Sequence, residues 1–280
     1  MPILYRRHSD VPTASADAVF ALPSLDCPSQ LLAAMKSILR GEALAIVAWI
    51  DLDIAAKAAA VASEVAVEDY RVAPGFQFQA DAAPLFEART ERDVENYLRN
   101  GQLHESRFAA RMYPSPTPAT LIEKAVAAAW PGGAERLRLR GKRAPFGLVR
   151  HLAQGAQVWP HTDNSDLDRP EVLAFARATT NLSALAYLAP GQGGELSIWR
   201  KRLTTREEIS ALRLAGHPYA LDPQCLSEPG TVIHPKPGMV VIFDAKNIHA
   251  VGLNRGTTTR VTQSGFILVG NFNSSCKTYY

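Results

Sequence analysis

The chain has 280 residues, enough for a substantial core in one large domain or two small ones. Hydrophobic residues make up 47% and charged residues 20%, which excludes a disordered chain, and a formal charge of +3 is too mild to argue for nucleic acid or an anionic membrane. Three scattered cysteines, Cys27, Cys225 and Cys276, fit free thiols in a reducing compartment better than a disulfide framework. Residues 1–12 contain no apolar run that would read as a signal peptide, and no stretch approaches the length of a membrane span. A soluble, cytoplasmic protein is expected.

The first third reads as helical with strand interruptions. Leu31, Leu32, Met35, Ile38 and Leu39 recur at helical spacing, and Gly41 is a stop. Residues 43–50 (ALAIVAWI) form a continuous apolar run that reads as a buried strand, with a helix as the alternative. A helix follows with Asp53 as its N-cap, through the alanine-rich run to Ser63. Residues 71–79 read as loop or strand around Pro74-Gly75. Thr90, with Asp93 three residues on and Gly101 beyond, predicts a helix over residues 90–100. Thr117-Pro118 opens another, closed by Pro131, with Leu121, Ile122, Ala125, Val126 and Ala129 on one apolar face.

From about residue 136 the texture changes. Strand-like runs fall at residues 146–152, 158–163, 183–188, 196–199, 239–243 and 261–269, separated by turns such as residues 190–194 (PGQGG) and 235–238 (PKPG). Short strands with Gly/Pro turns predict a sandwich or barrel. The expected fold is α+β: a double-stranded β-helix (a jelly-roll, cupin-like barrel) over residues 136–280, with an N-terminal helical layer over residues 1–135, in one domain spanning 1–280.

The chemistry concentrates in the later part. In an extended segment, His161 and Asp163 project to the same side, and an imidazole with a carboxylate supplies two of the three ligands of a mononuclear ferrous site. His249, 88 residues on and a short loop after the 239–243 run, can stand on another strand of the same barrel. Arg260 and Thr262 share a strand face and converge a guanidinium and a hydroxyl, a pair suited to a buried carboxylate. Each residue alone is a weak signal, since His-x-Asp recurs by accident and lone histidines are more often core or loop residues. Order, spacing and strand context together carry the site.

His161-x-Asp163, His249 and Arg260, with Gly-Gly-Glu-Leu at residues 193–196 and Pro-Gly-Met-Val-Val-Ile-Phe at 237–243, resemble the iron(II)/2-oxoglutarate-dependent oxygenases over roughly residues 146–270. Within that superfamily the chain looks most like a small-molecule subgroup that includes free-standing aliphatic halogenases and the hydroxylase of N-succinylated amino acids. The halogenases have glycine where this chain has Asp163, so the resemblance implies hydroxylation. It implies iron(II) held by His161, Asp163 and His249, 2-oxoglutarate as cosubstrate paired by Arg260 with help from Thr262, and O2 as oxidant. The substrate expected is a small acid, an amino acid or its N-acyl derivative, acted on by a monomer or homodimer.

Around this centre, Arg150 could reach the cofactor or the substrate, or face outward. Arg169, on the loop past the ligands, could clamp a substrate carboxylate, and Arg71 near Pro74-Gly75 is a similar candidate. His8, His104, His151, His217 and His234 have no partners at ligand spacing. The basic run of residues 136–143 (RLRLRGKR) reads as an edge strand with a charged outer face, or as a patch for a nucleic acid or carrier protein. Residues 191–194 lack the strand–glycine–helix context of a phosphate loop and read as a hairpin turn. Two other functions share these residues: nucleic-acid demethylation, supported only by the basic run, and a cupin-like metal-binding module without turnover, which would not need Arg260 and Thr262.

Overall fold

A strand covered on both faces must be apolar on both, with every second side chain sent to one layer. The computed structural model describes residues 18–280, so the signal-peptide expectation for residues 1–12 and His8 lie outside it. Its large sheet runs in the order Val19–Ala21, Ala45–Trp49, Met239–Asp244, Thr180–Ala189, Arg260–Val269, Leu148–Leu152, Ala73–Gln79, Val67–Tyr70. Cys276–Tyr279 pairs with the far half of Arg260–Val269, and Ala134–Arg136 pairs with Cys276–Tyr279. A smaller sheet has the order Thr231–Ile233, Leu196–Arg202, Asn247–Val251, Val158–His161.

Alternation divides the central strands cleanly. Ala184, Ala186, Val240, Ile242, Ile267 and Val269 pack outward against helices, with Leu31, Met35, Ala58, Ile122 and Val126. Leu185, Tyr187, Val241 and Phe243 point the other way, onto Leu196, Ile198 and Ile233 of the small sheet. This is the double-stranded β-helix with a helical layer that the pattern predicts, and its two sheets face each other across an interior. No helix among the described residues is long and apolar enough to cross a membrane.

The layer before residue 136 is less purely helical than expected. Pro28–Leu39, Leu52–Ser63, Glu91–Met112 and Pro118–Ala129 are helices, but five strands between residues 19 and 136 extend the large sheet. Asp51, rather than Asp53, caps the second helix, accepting from Asp53 N (2.8 Å) and Ile54 N (3.2 Å). Residues 73–79 form a strand despite Pro74-Gly75, antiparallel to Val67–Tyr70 and to Leu148–Leu152.

The third helix starts at the expected Thr90–Asp93 capping box but runs through Gly101 to Met112. Gly101 is a close-approach glycine instead of a terminator: a Cβ there would collide with the Tyr280 hydroxyl and the Pro145 ring. The basic run is a small hairpin, Arg138–Leu139 with Lys142–Arg143. Arg136 points inward to bind Glu105 and Glu123, and Arg140 pairs with Glu91. Helix propensity favours Gly101→Ala by about 1 kcal/mol, while overpacking costs about 1–3 kcal/mol. The collision is with two packed groups at once, so a net loss of stability is expected, read as a lower urea midpoint. A rise would contradict this packing.

Candidate metal centre

The small sheet places two imidazoles opposite each other. His161 ends the Val158–His161 strand, and in the antiparallel ladder its partner is His249 of Asn247–Val251. His249 is therefore a residue of another strand, as expected, but the loop expected over residues 244–248 is shorter, because the chain turns at once after Asp244 and re-enters a sheet at Asn247. Asp163 lies two residues beyond its strand, and its N–H donates to Ala245 O at 2.8 Å, fastening the segment to that same turn. Ligand atoms of His161, Asp163 and His249 lie within 4.8 Å of one another.

Both rings are held in one orientation. The Nδ1 of His161 meets Trp159 O at 2.8 Å, and that of His249 meets Asn247 O at 3.0 Å. A carbonyl only accepts, so each Nδ1 carries the proton and each Nε2 offers its lone pair. Those Nε2 atoms stand 3.6 and 3.5 Å from the two oxygens of Asp163. Tyr219 sets its ring edge-on to His161 at 5.6 Å, and Phe243 does the same to His249 at 4.9 Å.

Burial, reinforced by neighbouring His249, pushes the His161 imidazole down to about 4. Burial alone would raise the Asp163 carboxyl, but the two imidazoles, with Arg150 beyond them, hold it at about 2. At neutral pH His161 is therefore a lone-pair donor and Asp163 an anion, the forms in which they can ligate a divalent cation. Nitrogen and oxygen donors at three positions, with the remainder free, suit a mononuclear ferrous ion.

A cavity of about 420 Å³ opens in front of the triad, a size ordinary for small-molecule sites. Its far wall is the large sheet. Arg260, Thr262 and Ser264, alternate residues of one strand, face it together with Arg150 from the next strand. Arg260 is only 4% exposed, and its Nε has no hydrogen-bond partner. The hydroxyl of Tyr187, whose ring lies 5.0 Å from the Arg260 guanidinium carbon, is likewise buried without a partner. Two orphaned polar groups beside a cavity make a cradle for an anion, and a carboxylate fits the planar guanidinium.

The glycine turn presses on the shaft of Arg260. Gly194 has φ +66°, and a Cβ there would lie 3.0 Å from Arg260 Cδ. The turn at residues 191–194 is not the hairpin expected from sequence: it carries the chain from Thr180–Ala189 of the large sheet to Leu196–Arg202 of the small one, strands that do not pair, and it has an added role in placing the arginine.

Arg150 faces inward, resolving the open alternative. Its Nε donates to Tyr70 Oη at 2.7 Å and its Nη1 to Ser264 Oγ. Arg169 lines the cavity but is engaged elsewhere: Nε with Glu171 at 2.6 Å, Nη1 with Leu85 O (3.0 Å) and Ala88 O (2.9 Å). Arg71 sits at the mouth beside Glu87. His104 bonds Gln79, and His151 and His217 lie outside the triad. Tyr70, Tyr187, Tyr219, Ser264 and Glu87 were not singled out from sequence. Ser264 could have been, since it continues the Arg260–Thr262 alternation; Tyr187 could not, because its place depends on the register pairing it with Thr262.

Residues 146–268 match the family model of the 2OG-Fe(II) oxygenase superfamily. No curated protein matches the sequence. Among solved structures, the chain is similar to an N-substituted L-amino acid dioxygenase from Burkholderia ambifaria, with 16% identity, a TM-score of 0.56 and coverage of 89% of this chain and 91% of that one. The complex of that dioxygenase with alpha-KG is similar at 15% identity and a TM-score of 0.51, with the same coverage. At this identity the likeness speaks for the fold.

Losing a ligand should cost more metal affinity than the roughly 10–100-fold typical of groups behind the ligands. Asp163→Ala is therefore expected to weaken Co(II) binding at least a hundredfold by titration calorimetry. An unchanged affinity would remove the triad as the metal site.

Proposed function

We propose that residues 146–268, which match the family model of the 2OG-Fe(II) oxygenase superfamily, act as an iron(II)/2-oxoglutarate-dependent dioxygenase that hydroxylates an unactivated C–H of a small carboxylate-bearing substrate, an amino acid or an N-acyl amino acid. The observation that carries the reading is Arg260. Among the described residues it has no acidic partner, yet it is buried in the wall facing the metal triad. A buried charge without compensation is costly, and a diacid reaching across the cavity supplies the missing partner.

In this reading His161, Asp163 and His249 hold the metal, with the carboxylate contributing its charge and the locked imidazoles their Nε2 lone pairs. Iron(II) together with 2-oxoglutarate, when bound, supplies oxygen activation and the oxidising power for attack on carbon. Arg260 binds the distal carboxylate of 2-oxoglutarate, with Thr262 and the Tyr187 hydroxyl as further donors. Arg150, held by Tyr70 and Ser264, keeps a guanidinium close to Asp163 and the metal side, where it can meet a second carboxylate. The rigid strands carrying these groups set which substrate carbon faces the metal. Arg71 and the loop braced by Arg169 form the entrance on the substrate side.

Neither alternative gains support. Arg136 and Arg140 of the basic run are paired with glutamates, and none of residues 136–143 lines the cavity. A binding module without turnover has no use for the orphaned Arg260.

Incubation with iron(II), 2-oxoglutarate and air is expected to release succinate, and anaerobic iron(II) plus 2-oxoglutarate to give a weak visible charge-transfer band. An intact, metal-loaded protein without that band would count against the reading. Truncating one partner of a buried charge pair costs about 2–5 kcal/mol. Arg260→Ala should therefore raise the 2-oxoglutarate KM by roughly 30-fold or more. Gly194→Ala should raise it in the same direction while leaving Co(II) affinity intact, because it moves the arginine and not the triad; an unaltered KM would separate the glycine turn from the site.

A further inference from the structure

The mouth of the cavity holds a carboxylate that the proposed reaction does not use. Glu87 belongs to the short 3-10 turn Leu85–Glu87, lines the cavity and is only 6% exposed. Its Oε1 accepts from the backbone N of Arg71 at 3.2 Å. Its Oε2 stands 3.8 Å from Arg71 Nε, beyond hydrogen-bond distance, and the Arg71 side chain is 69% exposed. The pair is loosely closed. The buried carboxylate has as its cationic neighbour a mostly solvated guanidinium, whose attraction is weakened by solvent. Burial accordingly pushes the Glu87 carboxyl above its usual range, with Arg71 opposing it only in part.

The turn that carries Glu87 is nevertheless rigid. Arg169 Nη1 binds the carbonyls on either side of it, Leu85 O and Ala88 O. Beside it stands an aromatic wall. The Tyr70 ring stacks on Phe76 (4.6 Å, 13°) and lies parallel to Phe86 (5.7 Å, 1°). Tyr70 also receives Arg150, so the wall runs from the mouth toward the metal side.

We propose that this mouth recognises a zwitterionic head group, that of an α-amino acid with an unsubstituted amine, by opening the Arg71–Glu87 pair. Arg71 takes the carboxylate and Glu87 takes the ammonium. The side chain extends along Tyr70, Phe76 and Phe86 into the cavity. The head group is itself an ion pair, so it replaces one loose contact by two charge-assisted ones without a net change of charge at the mouth. Aromatic faces add attraction for the ammonium. An N-acyl derivative leaves Glu87 buried without a cation and brings a neutral acyl group against it, which disfavours that class. The inference rests on the oxygenase reading above and narrows its substrate to the free amine.

The test uses the full chain with iron(II) and 2-oxoglutarate. A pool of standard L-amino acids is compared with a pool of their N-acetyl derivatives. Two readings are taken: succinate released above the substrate-free rate, and the rise in melting temperature with Zn(II) in place of iron. The free pool is expected to exceed the acetylated pool at least about tenfold in succinate, and to be the pool that raises the melting temperature. Glu87→Gln keeps an acceptor for the Arg71 N–H and loses the charge, so it should erase the preference. Arg71→Met changes an exposed side chain and should lower the response to the free pool about tenfold; it decides the matter if the Glu87 variant does not fold. Equal or better response to the acetylated pool, no response to either pool, or a preference that survives both substitutions overturns the proposal. Absence of substrate-free succinate release together with absence of the charge-transfer band would instead overturn the oxygenase reading.

Discussion

The organisation of this protein follows from burying a guanidinium that meets no acid among the described residues. Arg260 sits in a strand whose other face, through Ile267 and Val269, is packed under helices. Alternation therefore sends Arg260, Thr262 and Ser264 into the interior, where water is scarce. The chain does not relieve that charge with a glutamate. It surrounds it with a tyrosine ring and a glycine turn, so the cradle keeps its shape while its polar groups stay unsatisfied. Around it, Ala184, Ala186, Val240 and Ile242 on one face and Leu185, Tyr187, Val241 and Phe243 on the other give the neighbouring strands two largely apolar faces.

The two sheets divide the chemistry between them. The small one presents His161 and His249 as direct cross-strand neighbours and, just past its edge, Asp163. The large one presents cations: Arg260 from one strand and Arg150 from the next. An anion placed between the sheets is thus attracted from both sides once a divalent ion is held by the triad. This polarity across one cavity is what distinguishes the site from a simple metal-binding barrel. In the proposed reading, that gap is where iron(II), 2-oxoglutarate and O2 meet.

Much of this was legible in residues that obey strict local rules. Period-two alternation is a property of the backbone, so Arg260 and Thr262 could be placed on one face from sequence. His161 and Asp163 were paired correctly, although the strand ends at His161 and Asp163 is positioned by a hydrogen bond to Ala245. What stayed hidden depends on contacts between distant segments. Gly101 looks like a helix stop until Tyr280 and Pro145 arrive beside it. Asp51 and Asp53 are equally good caps on paper, and only the path of the preceding strand chooses between them. Arg169 resembles a substrate clamp in its loop, but two carbonyls more than eighty residues earlier claim its guanidinium. The strands missed before residue 136, Val19–Ala21, Val67–Tyr70 and Ala134–Arg136, are only three or four residues long and exist through pairing with neighbours.

The entrance is assembled from segments that the His161–Asp163–His249 triad does not share. Residues 70–76 and 85–89 come from the N-terminal layer, while residues 213–219 belong to an excursion between two strands of the small sheet. Mutational libraries confined to those segments would sample new shapes and charges at the doorway while leaving the oxidising machinery on its own scaffold. The architecture is in that sense modular, and a change of diet need not endanger the engine.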